Sequence, residues 1–244
     1  MLFSVLALVV TVPAALSTPL SGRALPTPVS GATAREFLSE LVVAVDSNTP
    51  AYSRDLFKTW DIITGTCDTR EVVLMRDGTN VVTNSACSPT SGNWVSPYDG
   101  VPTTLASDLD IDHLVPLKEA WLSGARDWTP AQREAFANDL TRPQLVAVTD
   151  KYVDFMILIL EIEFLILPQR SLNDSKGTFG TRVHVTRKSL LVASPSSPDV
   201  AKWLPPLSSY VCTYVRAWVT VKHFYNLTID TAEQAALKTQ LADC

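Results

Sequence analysis

The chain has 244 residues, of which 46% are hydrophobic, and its 25 acidic and 20 basic side chains give a formal net charge of −5. This length is enough for one domain of ordinary size with a real core. The acidic balance argues against a broad basic face that grips nucleic acid, although it leaves room for a local basic cleft around an acidic metal site.

The N-terminal segment has the composition of a secretory signal. Residues 2–16 are apolar and uncharged, and small residues follow, so we expect residues 1–17 to be a signal peptide and the protein to be extracellular. Residues 18–33, rich in Pro, Ser, Thr and Gly, predict a flexible leader. A membrane anchor is the alternative, but the apolar run is short for a spanning helix. After signal cleavage we expect a monomer with no membrane association.

Four cysteines in a secreted chain predict two disulfides. Three connectivities are possible, and we favour Cys67–Cys87 and Cys212–Cys244 because each closes a short local loop. Their spacing fits no zinc knuckle. Asn226 begins an Asn-Leu-Thr sequon, so we expect it to be glycosylated.

The first half of the domain predicts helices and short strands. Apolar side chains at helical spacing indicate a helix over residues 34–46. A second helix runs to Asp77 with Asp68 or Thr69 as its cap, and it carries Arg70 towards a cleft if Cys67 is disulfide-bonded.

The stretch Leu109–His113 alternates apolar and polar residues, which predicts a strand with Asp110 and Asp112 on one face. We expect residues 94–96 to pair with it as a hairpin. An aspartate beside a histidine at a strand end can serve one divalent metal ion and one water molecule. The alternative is a solvated strand edge with a surface histidine.

Helices dominate the rest of the domain. The pattern predicts helices at Leu117–Leu122, after Thr129 and Pro130, over residues 210–224, and from a Thr231 cap to Leu241. Residues 145–148 form an apolar run that leads to Thr149 and Asp150. In the C-terminal pair of helices, we interpret Lys222 and His223 as structural.

Two stretches, at about residues 151–170 and 178–194, do not fit the pattern. Residues 152–169 are nearly all apolar. This run is too short and has too many acidic residues to span a membrane, and it is too long for an ordinary core strand. The second stretch is basic and shows no helix or strand periodicity. We expect its His184 to have no role in the site. Our hypothesis is that both stretches are translated introns. A dominant mature transcript that contains both stretches would contradict this hypothesis.

Several motifs, taken in order, match a known family. They are Tyr52–Asp55, Cys67–Arg70, Asp110–Leu117, Phe136–Asp139, Gln144–Asp150, Asn173–Gly177 and Trp203–Pro206. This ordered set resembles the secreted HNH-endonuclease-like proteins of fungi and actinobacteria, which are related to the C-terminal domain of GmrSD-type restriction endonucleases. The likeness runs from about residue 34 to residue 244, outside the two unusual stretches, so we expect one domain over 34–244.

The resemblance implies an α+β fold with a ββα-metal core, in which a hairpin and a helix hold one divalent cation, Mg²⁺ or else Mn²⁺. His113 matches the general base and Asp112 a metal ligand. Asn173 matches the second ligand, from the closing helix. The residue that orients His113 is open between Asn138 and Gln144.

The implied activity is hydrolysis of a phosphodiester bond in DNA, with RNA as the second candidate substrate. Arg54, Arg70 or Lys176 are then candidates to neutralise phosphate charge. Asn173 is formally a sequon, which we expect to stay unmodified. The competing interpretation is a secreted interaction protein on the same scaffold, without catalysis.

Overall fold

The computed structural model describes residues 25–150 and 199–244, which form a mixed α+β structure with small antiparallel sheets. The predicted α+β class is therefore confirmed. The predicted signal peptide, both unusual stretches, Asn173, Lys176 and His184 lie outside the described residues. The helices are α1 (Gly31–Glu40), α2 (Thr69–Asp77), α3 (Leu117–Leu122), α4 (Pro130–Ala137), α5 (Ser208–Phe224) and α6 (Thr231–Ala242). The strands are β1 (Ile62–Thr64), β2 (Cys67–Asp68), β3 (Thr79–Thr83), β4 (Pro89–Val95), β5 (Pro102–Thr103), β6 (Leu109–His113) and β7 (Leu145–Thr149).

Helix α1 begins at Gly31 rather than Ala34 and ends at Glu40, short of the predicted end at residue 46. The side chain of Ser30 caps it by accepting from the backbone N–H of Thr33. A Cβ at Gly31 would lie 2.2 Å from the carbonyl oxygen of Cys244, so the close approach of the chain's end explains the glycine. The last part of the predicted leader is thus part of the folded domain.

Side-chain caps also mark the starts of α2, α4 and α6. Asp68 forms a reciprocal capping box with Glu71 at α2, and Thr129 forms one with Gln132 at α4, as the sequence pattern predicts for these two caps. The predicted Thr231 cap is wrong, because Asp230 accepts from the backbone N–H of Glu233 and Thr231 is already helical.

The predicted pairing of residues 94–96 with β6 is wrong. Strand β4 pairs with β3 and β5, and the turn at Asp99–Gly100 closes that second pairing. Strand β6 pairs instead with β7, antiparallel and in register, with His113 opposite Leu145. All five residues of β7 are buried. This apolar strand is therefore the better cross-strand partner for a strand whose own apolar face faces the core.

Two apolar clusters pack around the β6–β7 pair. The smaller lies between this pair and α2, and contains Leu74, Trp94 and Ile111. The larger is built on α5 and α6 and contains the fully buried Trp218. The β6–β7 pair contributes to both clusters, so its backbone is fixed from two sides.

Both predicted disulfides are confirmed. Cys67–Cys87 ties β2 to the turn before β4, with Cα atoms 5.1 Å apart, and Cys212–Cys244 ties the end of the chain to α5, with Cα atoms 5.5 Å apart. Within residues 25–150 and 199–244, no helix is long and apolar enough to cross a membrane.

Candidate functional site

The candidate site is the C-terminal end of β6, where Asp112 and His113 follow each other in the chain. Successive side chains of a strand point to opposite faces, so the two residues face different surroundings. Asp110 shares the face of Asp112, as predicted, and Leu109 shares the face of His113.

The imidazole of His113 is fixed by two contacts and is only 7% exposed. Its Nε2 lies 2.9 Å from the carbonyl oxygen of Ala137, which can only accept, so Nε2 carries the hydrogen and Nδ1 presents the lone pair. The ring stacks on Trp60, with centroids 6.1 Å apart and planes at 24°.

The pKa of His113 is lowered to about 4. Burial is the largest cause, the Ala137 hydrogen bond opposes it, and the positive charge of Arg54 adds a smaller lowering. The ring is therefore neutral at pH 7. Nδ1 accepts no hydrogen bond from the residues that the structure describes, so this neutral imidazole with a fixed tautomer is able to accept a proton there.

Asp112 is half-buried, with its carboxyl group against Tyr98. Its Oδ2 accepts a 2.6 Å hydrogen bond from the hydroxyl of Tyr98, and the backbone N–H of His113 also donates to it. The pKa of Asp112 is raised to about 6. Burial is the largest cause and the neighbouring charge of Asp110 adds to it, whereas the hydrogen bonds from Tyr98 and His113 oppose the rise. The carboxylate is thus an oxygen donor whose charged form a cation would stabilise.

The described residues do not complete a metal site. No group of three His, Cys, Asp or Glu side chains that could hold a metal ion occurs in residues 25–150 and 199–244. The half-buried carboxylate of Asp112 fits the role of one hard-oxygen ligand. The second ligand expected from the resemblance, Asn173, lies outside the described part of the chain.

The candidate phosphate-binding residues differ in their surroundings. Arg54 is exposed in a short 3₁₀ turn (Arg54–Leu56), and its charge acts on His113. Arg70 is half-buried, and its Nη2 donates to the carbonyl oxygens of Leu109 at 2.8 Å and Ala106 at 3.4 Å. Arg54 therefore belongs to the His113 end of β6, whereas Arg70 secures the start of that strand. Lys176 is not among the described residues.

Asn138 and Gln144 both support the site through backbone groups. Gln144 accepts from the N–H of Val115 at 3.1 Å and donates to its carbonyl oxygen at 2.9 Å, which fixes the chain as it leaves β6. Asn138 is the C-cap of α4 and binds the segment around Trp60. The acceptor for the imidazole is the Ala137 carbonyl, one residue before Asn138.

Two further residues of the site escaped the sequence analysis. Tyr98 and Trp60 contact the two candidate residues, but aromatic residues in turns and loops give no periodic signal. Trp60 is marked by an uncommon left-handed backbone conformation, with φ of 63°, which only a structure reveals.

The residues interpreted as structural lie away from β6. Lys222 is completely buried, with Nζ 2.8 Å from Glu119 Oε1 and 2.7 Å from Glu233 Oε1. His223 pairs with Glu40 across 2.6 Å on the surface of α5. Asn226 is exposed just after α5, and its glycosylation stays a prediction.

Comparison with known proteins gives one informative relationship. The chain is 44% identical over 229 residues to an uncharacterized secreted protein of Arthroderma benhamiae, a match that covers 94% of this chain and 93% of that protein. The two belong to one family. The predicted extracellular location is confirmed by this relative. No family model matches the chain, and no solved structure matches it.

Proposed function

We propose that this protein is a secreted, metal-dependent endonuclease of the HNH type that hydrolyses phosphodiester bonds, in DNA first and in RNA second. The observation that carries the proposal is the pair at the end of β6: a neutral, hydrogen-bonded imidazole next in sequence to a half-buried carboxylate. The antiparallel pairing of β6 with β7 is compatible with the proposal. Asn173 follows β7 in the sequence, which is the order of strand, strand and second ligand that the resemblance implies.

In this proposal His113 is the general base. Its Nδ1 accepts a proton from the attacking water, and its low pKa keeps that nitrogen unprotonated and available at neutral pH. The Nε2–H to Ala137 hydrogen bond strengthens as the ring becomes positively charged, because the carbonyl oxygen accepts better from a cation. The same bond prevents a flip that would exchange the two nitrogens.

Asp112 and Asn173 would hold the divalent cation, Mg²⁺ or Mn²⁺. When bound, the cation supplies Lewis acidity to a phosphoryl oxygen and stabilises the leaving oxygen. Of the two candidate arginines, Arg54 is the better one for a phosphate contact. It is exposed near His113, whereas Arg70 already donates to backbone carbonyls. Lys176 remains a candidate from its sequence position.

A non-catalytic secreted interaction protein is the second candidate function. The observation that favours it is limited access: His113 is only 7% exposed, and the half-buried Asp112 is hydrogen-bonded to Tyr98. The net charge of −5 favours it as well, because it disfavours close approach of a polyanion.

The deciding experiment is plasmid cleavage by the purified mature protein with Mg²⁺ or Mn²⁺, with single-stranded RNA in parallel. We expect EDTA and Asp112→Asn to abolish cleavage, and His113→Ala to lower it by roughly 10²–10⁴-fold. His223→Gln, a histidine substitution on the surface of α5, is the matched control and leaves the rate unchanged.

The same assay on a chain that lacks residues 151–170 and 178–194 separates two questions. Cleavage by the shortened chain alone would support the nuclease and the intron hypothesis together. Cleavage that survives His113→Ala would exclude His113 as the base. Absence of cleavage from both chains would leave the interaction protein as the better account.

A further inference from the structure

Trp60 has a backbone conformation that aromatic residues rarely adopt. Its φ of 63° lies in the left-handed region, where the side chain of a bulky residue crowds its own backbone. Such strain persists only where neighbouring groups hold it, and it is concentrated at functional sites. Packing alone would not require it, because a half-buried ring can be accommodated with an ordinary backbone.

A single amide side chain holds the backbone on both sides of Trp60. Asn138 Nδ2 donates to the carbonyl oxygen of Lys58 at 2.9 Å, and Asn138 Oδ1 accepts from the N–H of Asp61 at 3.0 Å. The remaining capacity of the amide is used as well, by donation to Glu134 O and acceptance from Thr69 Oγ1, each at 2.9 Å. Residue 60 is therefore bracketed by two fixed backbone groups.

Both contacts of the His113 imidazole derive from this arrangement. The Trp60 ring stacks on the imidazole at a tilt of 24°. The carbonyl of Ala137, which accepts from Nε2, precedes Asn138 in the chain. Asn138 thus couples the hydrogen bond at one edge of the imidazole to the aromatic contact on its face.

We infer that Trp60, held in its left-handed conformation by Asn138, is a positioning residue that keeps the His113 imidazole in one orientation with Nδ1 free. The structural part of this inference stands on the contacts alone. Its catalytic consequence rests on the proposed nuclease function.

The test compares Trp60→Phe, which keeps a ring, with Trp60→Leu, which removes it. The first readout is the ¹⁵N spectrum of the imidazoles in the full chain at pH 7 without metal, where three histidines make assignment simple. We expect a single Nε2–H tautomer for His113 in the wild type and in Trp60→Phe. In Trp60→Leu the shifts should move towards a mixture of tautomers. Trp128→Leu, which removes a half-buried tryptophan that packs edge-on against Phe136, is the matched control.

The second readout is plasmid cleavage. We expect Trp60→Leu to lower kcat by roughly 10–100-fold with KM within about twofold, because a misplaced base slows the chemical step rather than binding. Trp60→Phe should recover most of this loss. Asn138→Asp, which keeps the acceptors but removes both donors, should act in the same direction and serves as the test if Trp60→Leu does not fold.

An unchanged His113 tautomer in folded Trp60→Leu, or in Asn138→Asp if that is the variant that folds, would overturn the inference. A changed tautomer in a protein whose wild type cleaves nothing would support the positioning role and reject the nuclease. The two failures are thus distinguishable.

Discussion

Asp112 and His113 are consecutive residues whose side chains are held on opposite faces of β6. The Tyr98 hydroxyl donates to Asp112 Oδ2 at 2.6 Å, whereas His113 Nε2 donates to the Ala137 carbonyl at 2.9 Å. Burial acts on both groups but in opposite directions, raising the pKa of the acid to about 6 and lowering that of the base to about 4. The two groups can therefore be perturbed separately.

The first prediction concerns pH. Cleavage should fall as the pH drops through about 6, because Asp112 is then protonated and a metal cannot bind it, while His113 stays neutral down to about 4. Protons and metal compete for the carboxylate, so a tenfold higher Mg²⁺ concentration should move the midpoint to lower pH. Initial rates from pH 4.5 to 8 at two Mg²⁺ concentrations measure this. A midpoint pH that does not change with the Mg²⁺ concentration would contradict the assignment of Asp112 as a metal ligand.

The second prediction concerns Tyr98. Its hydroxyl stabilises the charged form of Asp112, so Tyr98→Phe should raise the pKa of that carboxyl and move the acid limb of activity to higher pH, with little change at pH 8. The ring itself, which packs edge-on against Tyr214 at 5.8 Å, is retained.

Tyr210→Phe is the control for this substitution, because the buried Tyr210 hydroxyl has no hydrogen-bond partner among the described residues. It should leave the pH profile unchanged. An equal shift of the pH profile in both variants would mean that looser packing around Tyr98 and Tyr210, rather than loss of the hydrogen bond, changes the pKa of Asp112.

Local patterns were enough to predict much of the fold. The caps of α2 and α4, the strand Leu109–His113 and the two disulfides follow from short-range chemistry that a sequence displays directly. The partner of β6 did not follow, because β7 lies beyond two intervening helices, and an apolar run shows burial without showing its neighbour.

Of the candidate site, the sequence predicts only Asp112 and His113 and not the residues that surround them. Asp112 and His113 stand out as a pair, but the contacts that set their pKa values come from Tyr98, Trp60 and the Ala137 carbonyl. A backbone carbonyl has no signature in a sequence, and neither does a positive φ at a tryptophan. Tertiary structure alone brings these groups to β6.

The third prediction concerns the buried lysine of α5. Lys222 Nζ contacts Glu119 and Glu233, and the indole N–H of Trp218 also donates to Glu233. Lys222→Met should lower the free energy of unfolding by about 3–5 kcal/mol, because it leaves two carboxylates buried without their cation. Urea denaturation at pH 7 measures the loss.

A triple variant with Glu119→Gln and Glu233→Gln added to Lys222→Met tests the cause. It should recover part of the lost stability, since no unpaired buried charge remains. If the triple variant is no more stable than Lys222→Met, the loss reflects packing around the lysine stem rather than uncompensated charge.

The fourth prediction concerns Asp46, whose buried Oδ1 has no hydrogen-bond partner in residues 25–150 and 199–244. Its pKa is raised from 3.8 to about 6, chiefly by burial and then by the charge of Glu119, against the opposing charge of Lys222. Between these pH values the folded protein binds more protons than the unfolded chain, so this group's contribution to stability is full below about pH 4 and declines as the pH rises towards 6.

Asp46→Asn removes that decline. Relative to the wild type, the variant should gain stability progressively from pH 4 to pH 6 and keep a constant advantage above pH 6, because an amide carries no charge to bury. Thermal or urea unfolding at half-unit pH intervals measures the difference. Asp127→Asn is the matched control for the chemical change, since the Asp127 side chain is 76% exposed. A flat difference between Asp46→Asn and the wild type across the range would mean that Asp46 is solvated in the folded protein and does not titrate as a buried group.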